Sequence, residues 1–175
     1  MGYICGRSLN QVSPEARMEP LKEMIERAAQ PGRVAWIGVR PERRAPIVTP
    51  DAVDVGPHGI DGDHGSSGKR ALTLLQAEHL AAIGSYLGRS SVPAEALRRN
   101  LVVTGLNLLA YRGRQLRLGT VEIEIVGNCA PCSRMEEAFG PGGYAAVRGH
   151  GGVTARVLVP GRISLNDAVV LCPAD

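Results

Sequence analysis

The first readable pattern in the chain has a helical period. Pro20 stands in the first turn of a predicted helix running to about Ala29. Leu21, Met24, Ile25 and Ala28 recur on one of its faces, and Gln30-Pro31-Gly32 ends it. After that the period shortens to two. Segments 33–39, 70–75, 100–105, 115–118, 120–126, 154–159 and 167–171, each bounded by Gly or Pro, read as short strands. The clearest is 120–126, where Val121, Ile123 and Ile125 alternate with Glu122 and Glu124, giving one dry face and one wet face. Two more helices are predicted at about 76–87 and 93–99, with Gly88 stopping the first and Pro93 opening the second.

Strands outnumber helices and do not alternate regularly with them, so a doubly wound sheet is disfavoured. The expected fold is mostly β (α+β): a closed or partly closed β-barrel of about seven or more short strands with flanking short helices. Residues 1–32 form an expected N-terminal helical extension packed on the barrel, and residues 33–175 the barrel domain itself.

Composition changes this picture in two ways. Aromatic residues make up 3% of the chain, so the core must be aliphatic and the stacking platforms of a nucleic-acid binder are missing. The net charge of +3 is modest, but the arginines cluster at 40–44, 98–99 and 112–117, which suits local pockets for a small anion. No apolar run approaches the ~20 residues of a membrane span. The start, MGYICGRSLN, lacks a secretory pattern, and Gly6 stands where a myristoylation signal places Ser or Thr. Four cysteines are too few for a disulfide scaffold, so a reducing cytoplasm is expected. The expected partners therefore exclude nucleic acid and membrane.

Two stretches carry candidate chemistry. In GNCAPCSRMEEAFGPGG (127–143), Cys129 and Cys132 form the chain's one C-x-x-C pair. Four-ligand structural zinc lacks a second pair. A thioredoxin-type redox pair fits the local strand, CAPC and helix order, but the following helix is only about six residues and βαβ alternation is lacking. A single working thiol fits better. Ser133 and Glu136 have capping-box spacing, which sets Cys132 just ahead of a helix N-terminus, with Arg134 beside it. That environment favours a thiolate, able to act as a nucleophile or as a soft-metal ligand. Burial as small apolar residues is the alternative for both cysteines, with Cys129 structural or supporting.

The second stretch, HGIDGDHGSSGKR (58–70), crowds His58, Asp61, Asp63 and His64 among glycines. It matches neither an EF-hand nor a Walker A loop. Its glycines beside Ser66, Ser67, Lys69 and Arg70 can cradle a phosphate through backbone N–H groups, or form a plain Asx-rich turn. RRN (98–100) and RGHGGVTARV (148–157) repeat the association of arginine with Gly, Asn or His at a strand edge.

In that order, GIDGDH, ALTLLQAEHL, RRNLVVTGLNL, LGTVEIEIVGNCAPCSRMEEAF and GHGGVTARVLVPGRISLNDAVVL resemble the MOSC domain family over about residues 33–172. The resemblance implies a barrel-like fold and a molybdenum cofactor of molybdopterin type. It makes Cys132 the essential thiol and molybdenum ligand, and matches Arg99-Asn100 and the loop Gly59 to Asp63 to family motifs. Gly59, Asp61, Gly62, Asp63, His64, Lys69, Arg70, Arg99, Asn100 and Arg156 are the implied cofactor-binding set. The implied reaction is two-electron reduction of a small N-oxygenated (N-hydroxylated) compound, fed by a separate electron-transfer protein. A sulfur carrier holding a persulfide on Cys132, loaded by a cysteine desulfurase, and a thiol-disulfide module using Cys129 and Cys132 are the alternatives. No pyridoxal phosphate site is expected, and an oligomer is compatible with the sequence. Two departures stand out. Asp63 is followed by His64-Gly65-Ser66, and a Gly-Asp turn is replaced by Asn166-Asp167, which an Asn tolerant of left-handed backbone accommodates.

Overall fold

The computed structural model describes residues 20–25, 27–65 and 68–173. Its strands are β1 (Gly32–Ile37), β2 (Ala52–Gly56), β3 (Gly59–Ile60), β4 (Leu72–Gln76), β5 (Leu101–Thr104), β6 (Gln115–Leu118), β7 (Val121–Asn128), β8 (Val153–Val159), β9 (Gly161–Ser164) and β10 (Ala168–Leu171). Its helices are α1 (Leu21–Ile25), α2 (Glu78–Tyr86), α3 (Ala94–Leu97), α4 (Arg134–Phe139) and α5 (Gly143–Val147).

Strands β1, β10, β6, β7, β8, β4 and β5 close into a barrel in that order, and each is one of the segments expected from period-two patterning. The fold is mostly β, with short flanking helices, as anticipated. Along β7, Val121, Ile123 and Ile125 are fully buried while Glu122 and Glu124 take the other face. All barrel neighbours are antiparallel except β4 and β5, whose parallel pairing requires the crossover that α2 and α3 supply.

That crossover gives β4 and β5 two dry faces. Leu72, Leu74, Leu101 and Val103 point into the barrel core. Leu75 and Val102 point outward against Ile83, Leu97, Met135, Phe139 and Val147 of the helical layer. Removing one such buried leucine costs about 2–5 kcal/mol, so this second core holds α3 and α4 firmly against the barrel wall. The segments leading out of α3 and into α4 carry the candidate site.

Three strands were not expected. β3, β2 and β9 form a small antiparallel sheet beside the barrel, with Val53 opposite Ile163 and Val55 opposite Ile60. It converts the start of the 59–63 loop from coil into a strand end. Helix α5 was also not expected, because the Gly-Pro-Gly-Gly stop after α4 is followed at once by a new helical turn.

The N-terminal helix is shorter than expected. Pro20 opens it as anticipated, its carbonyl accepting from the Glu23 and Met24 amides at 2.9 and 3.3 Å. It ends at Ile25; Leu21, Met24 and Ile25 are exposed, while Ala28 packs against the barrel core. The rest of the expected extension, residues 1–19, lies outside the described residues. Asn166 takes the left-handed conformation expected of it, at φ 68°. No helix among the described residues is long and apolar enough to cross a membrane.

Candidate functional site

The site starts at the end of α3. Arg98 stops that helix in a left-handed conformation (φ 54°), and the next two residues, Arg99 and Asn100, are buried as the chain enters β5. The Asn100 amide donates to the Thr73 carbonyl at 3.0 Å, tying this turn to β4. Asn100 Oδ1 accepts from the Thr73 amide (3.1 Å), the Thr73 hydroxyl (2.8 Å) and Arg40 Nη2 (3.3 Å). Arg99 donates from Nε to the Gly151 carbonyl (2.7 Å) and from Nη1 to the Leu97 carbonyl (2.8 Å). Both backbone bonds fix the plane of its guanidinium.

Each of these side chains keeps one donor free. Arg98 Nη2, Arg99 Nη2 and Asn100 Nδ2 are buried nitrogens with no hydrogen-bond partner among the described residues. A buried donor left unmade costs about 1–3 kcal/mol. Three on consecutive residues amount to a standing demand for an acceptor, which an anionic ligand would meet.

Arg40, just beyond β1, is aimed by Asp63. The carboxylate accepts from the Arg40 amide (2.7 Å), Nε (2.9 Å) and Nη2 (2.5 Å), and Arg40 Nη1 reaches the Arg98 carbonyl at 3.2 Å. Burial pushes the Asp63 carboxyl up. The Arg40 hydrogen bonds and charge outweigh it, so the group lies below its ordinary value. Asp63, expected in the cofactor-binding set, is buried behind the cleft with three bonds from Arg40 on its carboxylate.

The CAPC loop closes the site. Cys129 is 3% exposed, its amide bonded to the Gly152 carbonyl at 2.8 Å, and Arg70 Nη2 donates to its sulfur at 3.8 Å. Cys132 is exposed. A cleft of about 210 Å³ is lined by Arg40, Arg70, Arg98, Arg99, Arg134 and Cys132, with Leu97, Ala130 and Met135 as its apolar walls. Burial depresses the pKa of Arg99, and Arg70 and Arg40 add to the effect; the two thiols oppose it. Arg98 is likewise depressed by burial first, then by Arg134 and Arg40. Five guanidiniums around one thiol, with Asp63 as their buried counter-ion, form a strongly cationic recess.

Two further cavities adjoin it. One, of about 560 Å³, lies across the CAPC loop and is lined by Asn128, Cys129, Ala130, Pro131, Ala145, Arg148, Gly149, Gly151 and Gly152. Its glycines are required: a Cβ on Gly151 would collide with the Cys129 carbonyl and crowd Arg99 Nη2, and Gly152 sits at φ 84° against the Leu74 carbonyl. The other, of about 320 Å³, is lined by Arg44, Ala96, Arg98, Arg134, Glu137 and Ala138.

Of the residues expected at a site, the structure gathers Cys132, Arg70 and Arg99 in the cleft and holds Asn100 and Asp63 directly behind it. Gly59 and Gly62 adopt positive φ in the turn that delivers Asp63. Asp61, His64 and Lys69 are exposed, and none of them lines the cleft. Ser66 and Ser67 lie outside the described residues. Arg156 stands on β8 and pairs with Glu124 of β7 at 2.5 Å, away from the cleft. The capping box is not formed: Ser133 makes no side-chain cap bond. Glu136 reaches forward, accepting from the Gly142 and Tyr144 amides at 2.8 and 2.7 Å at the start of α5. Sequence reasoning noted Arg40, Arg98 and Arg134 only as charge and did not place them in the pocket. Among the described residues no group of three or more His, Cys, Asp or Glu is placed to hold a metal ion.

The family model of the MOSC domain matches residues 61–170 of this sequence. Among solved structures, the YuaD protein from Bacillus subtilis superposes with a TM-score of 0.70 at 15% identity, covering 80% of this chain and 94% of that one. YiiM from Geobacillus stearothermophilus gives 0.69 at 22% identity, covering 82% and 76%. YiiM from Escherichia coli gives 0.62 at 21% identity, covering 82% and 71%. At these identities the likeness is one of fold. No functionally curated protein matches the sequence.

Proposed function

This chain belongs to the MOSC domain family, and from that premise we propose that it binds a molybdenum–pterin cofactor and reduces a small N-oxygenated compound. The observation that carries this reading is the exposed Cys132 thiol on a cleft with five arginines, next to buried donors that lack partners. The donor set suits the group. A thiolate is a soft ligand of the kind that complements a sulfur-rich metal centre. Guanidinium forks and an amide suit phosphate and pterin oxygens.

In this reading Cys132 is the protein's ligand to the metal. Arg70, Arg99 and Asn100 Nδ2 would hold the cofactor's anionic and carbonyl oxygens by charge-assisted and neutral hydrogen bonds. Arg40, clamped by Asp63, would hold the Asn100 amide through its Oδ1. When bound, the cofactor supplies the centre for a two-electron reduction. The overall change is an N-hydroxylated compound plus two electrons and two protons giving the amine and water. A separate electron-transfer protein delivers the electrons.

Metal and pterin analysis of the purified protein tests this directly. Molybdenum and pterin should co-purify or be taken up on reconstitution, and Cys132→Ser should cut metal retention at least tenfold while leaving the fold intact. Wild-type protein that takes up neither would sink the proposal. The exposure of Cys132 also favours a second reading, a sulfur carrier holding a persulfide on that thiol. Intact mass after incubation with a cysteine desulfurase and cysteine should then show one added sulfur, absent from Cys132→Ser.

A further inference from the structure

The cavity of about 320 Å³ beside the Cys132 cleft shares Arg98 and Arg134 with it, and adds Arg44. Three guanidiniums face a single carboxylate there, that of Glu137. Among the described residues, Arg44 (φ 72°), Arg98 (φ 54°) and Asn166 are the non-glycine positions at positive φ. Both arginines of that set line this chamber. Left-handed backbone strains any residue with a Cβ and is free for glycine, so arginine is held there against local preference. Arg98 also bonds the Ala45 carbonyl at 3.1 Å through Nη1, which pins the turn carrying Arg44 to the chamber wall. Its Nη2 is left buried without a partner.

We propose that this outer chamber binds a phosphate group of the substrate, so that a phosphorylated molecule is held by Arg44, Arg98 and Arg134 while its reacting end enters the Cys132 cleft. Charge and geometry select the ligand class. The chamber's excess of two positive charges, three guanidiniums against one carboxylate, matches a phosphate monoester near neutral pH, and planar forks grip phosphate oxygens bidentately. The inference rests on the Cys132 cleft being the reaction site, but its first readout, the Arg44 dependence of phosphate binding, needs no cofactor.

The test is calorimetric titration of the purified chain with phenyl phosphate, and with benzyl alcohol as the uncharged control. Phenyl phosphate should bind and benzyl alcohol should not. Arg44→Gly should weaken phenyl phosphate at least tenfold while raising the melting temperature, because glycine relieves the left-handed turn. Arg44→Lys should recover part of the affinity, and Arg162→Ala, on the small sheet, should change nothing. Affinity unaltered by Arg44→Gly would overturn the assignment. So would binding that vanishes once the protein is loaded with molybdenum cofactor, since the cofactor's own phosphate would then fill the chamber. A protein that never takes up cofactor defeats the reductase reading alone; the Arg44 dependence still decides the chamber.

Discussion

Asp63 is linked to the cleft through its neighbour Arg40. Its three bonds from Arg40 leave that guanidinium facing the cleft and Asn100 correctly turned. Replacing it by Asn removes the charge but keeps the shape, so Arg40, whose side chain is 14% exposed, loses its charged partner. Asp63→Asn should cost about 2 kcal/mol in urea unfolding, less than a fully buried pair because Arg40 keeps some solvent contact. The pH dependence has a definite sign. A carboxyl whose folded pKa lies below its ordinary 3.8 contributes stability above that value and loses it as pH falls through the folded one. Wild type should therefore lose this increment only as pH falls below the ordinary carboxylate range, and Asp63→Asn should show a flatter acid limb. An unchanged limb would remove Asp63 from this role. The sequence marked Asp63 as notable but hid its work, since Arg40 lies 23 positions upstream and no local spacing ties the two.

Among elements, what could be read and what could not divide along the two sheets. Every barrel strand was legible because each is a short apolar run with its own glycine or proline boundary, alternating in β6 and β7 and dry on both faces in β4, information contained within a few residues. The small sheet was not. β3 has two residues, and β2 pairs with β9 across more than a hundred positions, so its order is a property of the assembled chain. Helix capping failed for a related reason. Ser133 and Glu136 have the spacing of a capping box, but the Gly142 and Tyr144 amides at the start of α5 offered Glu136 a better pair of donors than a single Ncap amide. Two variants separate the arrangements. Ser133→Ala should leave the melting temperature unchanged, whereas Glu136→Ala should lower it by releasing the Gly142–Tyr144 turn. Equal losses from both would restore the capping box. Because α5 meets α2 and α4, the Glu136 variant should also loosen the glycine-lined cavity, seen as faster hydrogen exchange at Ala145 and Ala146.

For the molecule as a whole, the arginines that looked scattered along the chain converge. Arg40, Arg44, Arg70, Arg98, Arg99 and Arg134 line two adjoining cavities, although the net charge of the chain is only +3. The fold concentrates one sign of charge on one face, at a cost to its own stability that an anion would relieve. Like charges a few ångströms apart repel through a medium less polarisable than water, and salt weakens that repulsion within a screening length of ~10 Å at 0.1 M. Sulfate should do more than chloride, because it also fills the fork-shaped donors. A site near saturation at a hundred times its dissociation constant adds about 2.7 kcal/mol to the folded state. The melting temperature of wild type should accordingly climb several degrees from chloride to sulfate at equal ionic strength. Sulfate also stabilises proteins generally by exclusion from their surface, so the informative quantity is a difference between two proteins that share that effect. In Arg134→Gln, which removes one wall common to both cavities, the baseline in dilute chloride should be no lower than wild type. Its sulfate increment should shrink to about half that of wild type, as expected when one of several charge-assisted donors is lost. Identical increments in the two proteins would mean that the arginine face is an ordinary solvated surface, and the case for an anionic ligand at Cys132 would lose its electrostatic basis.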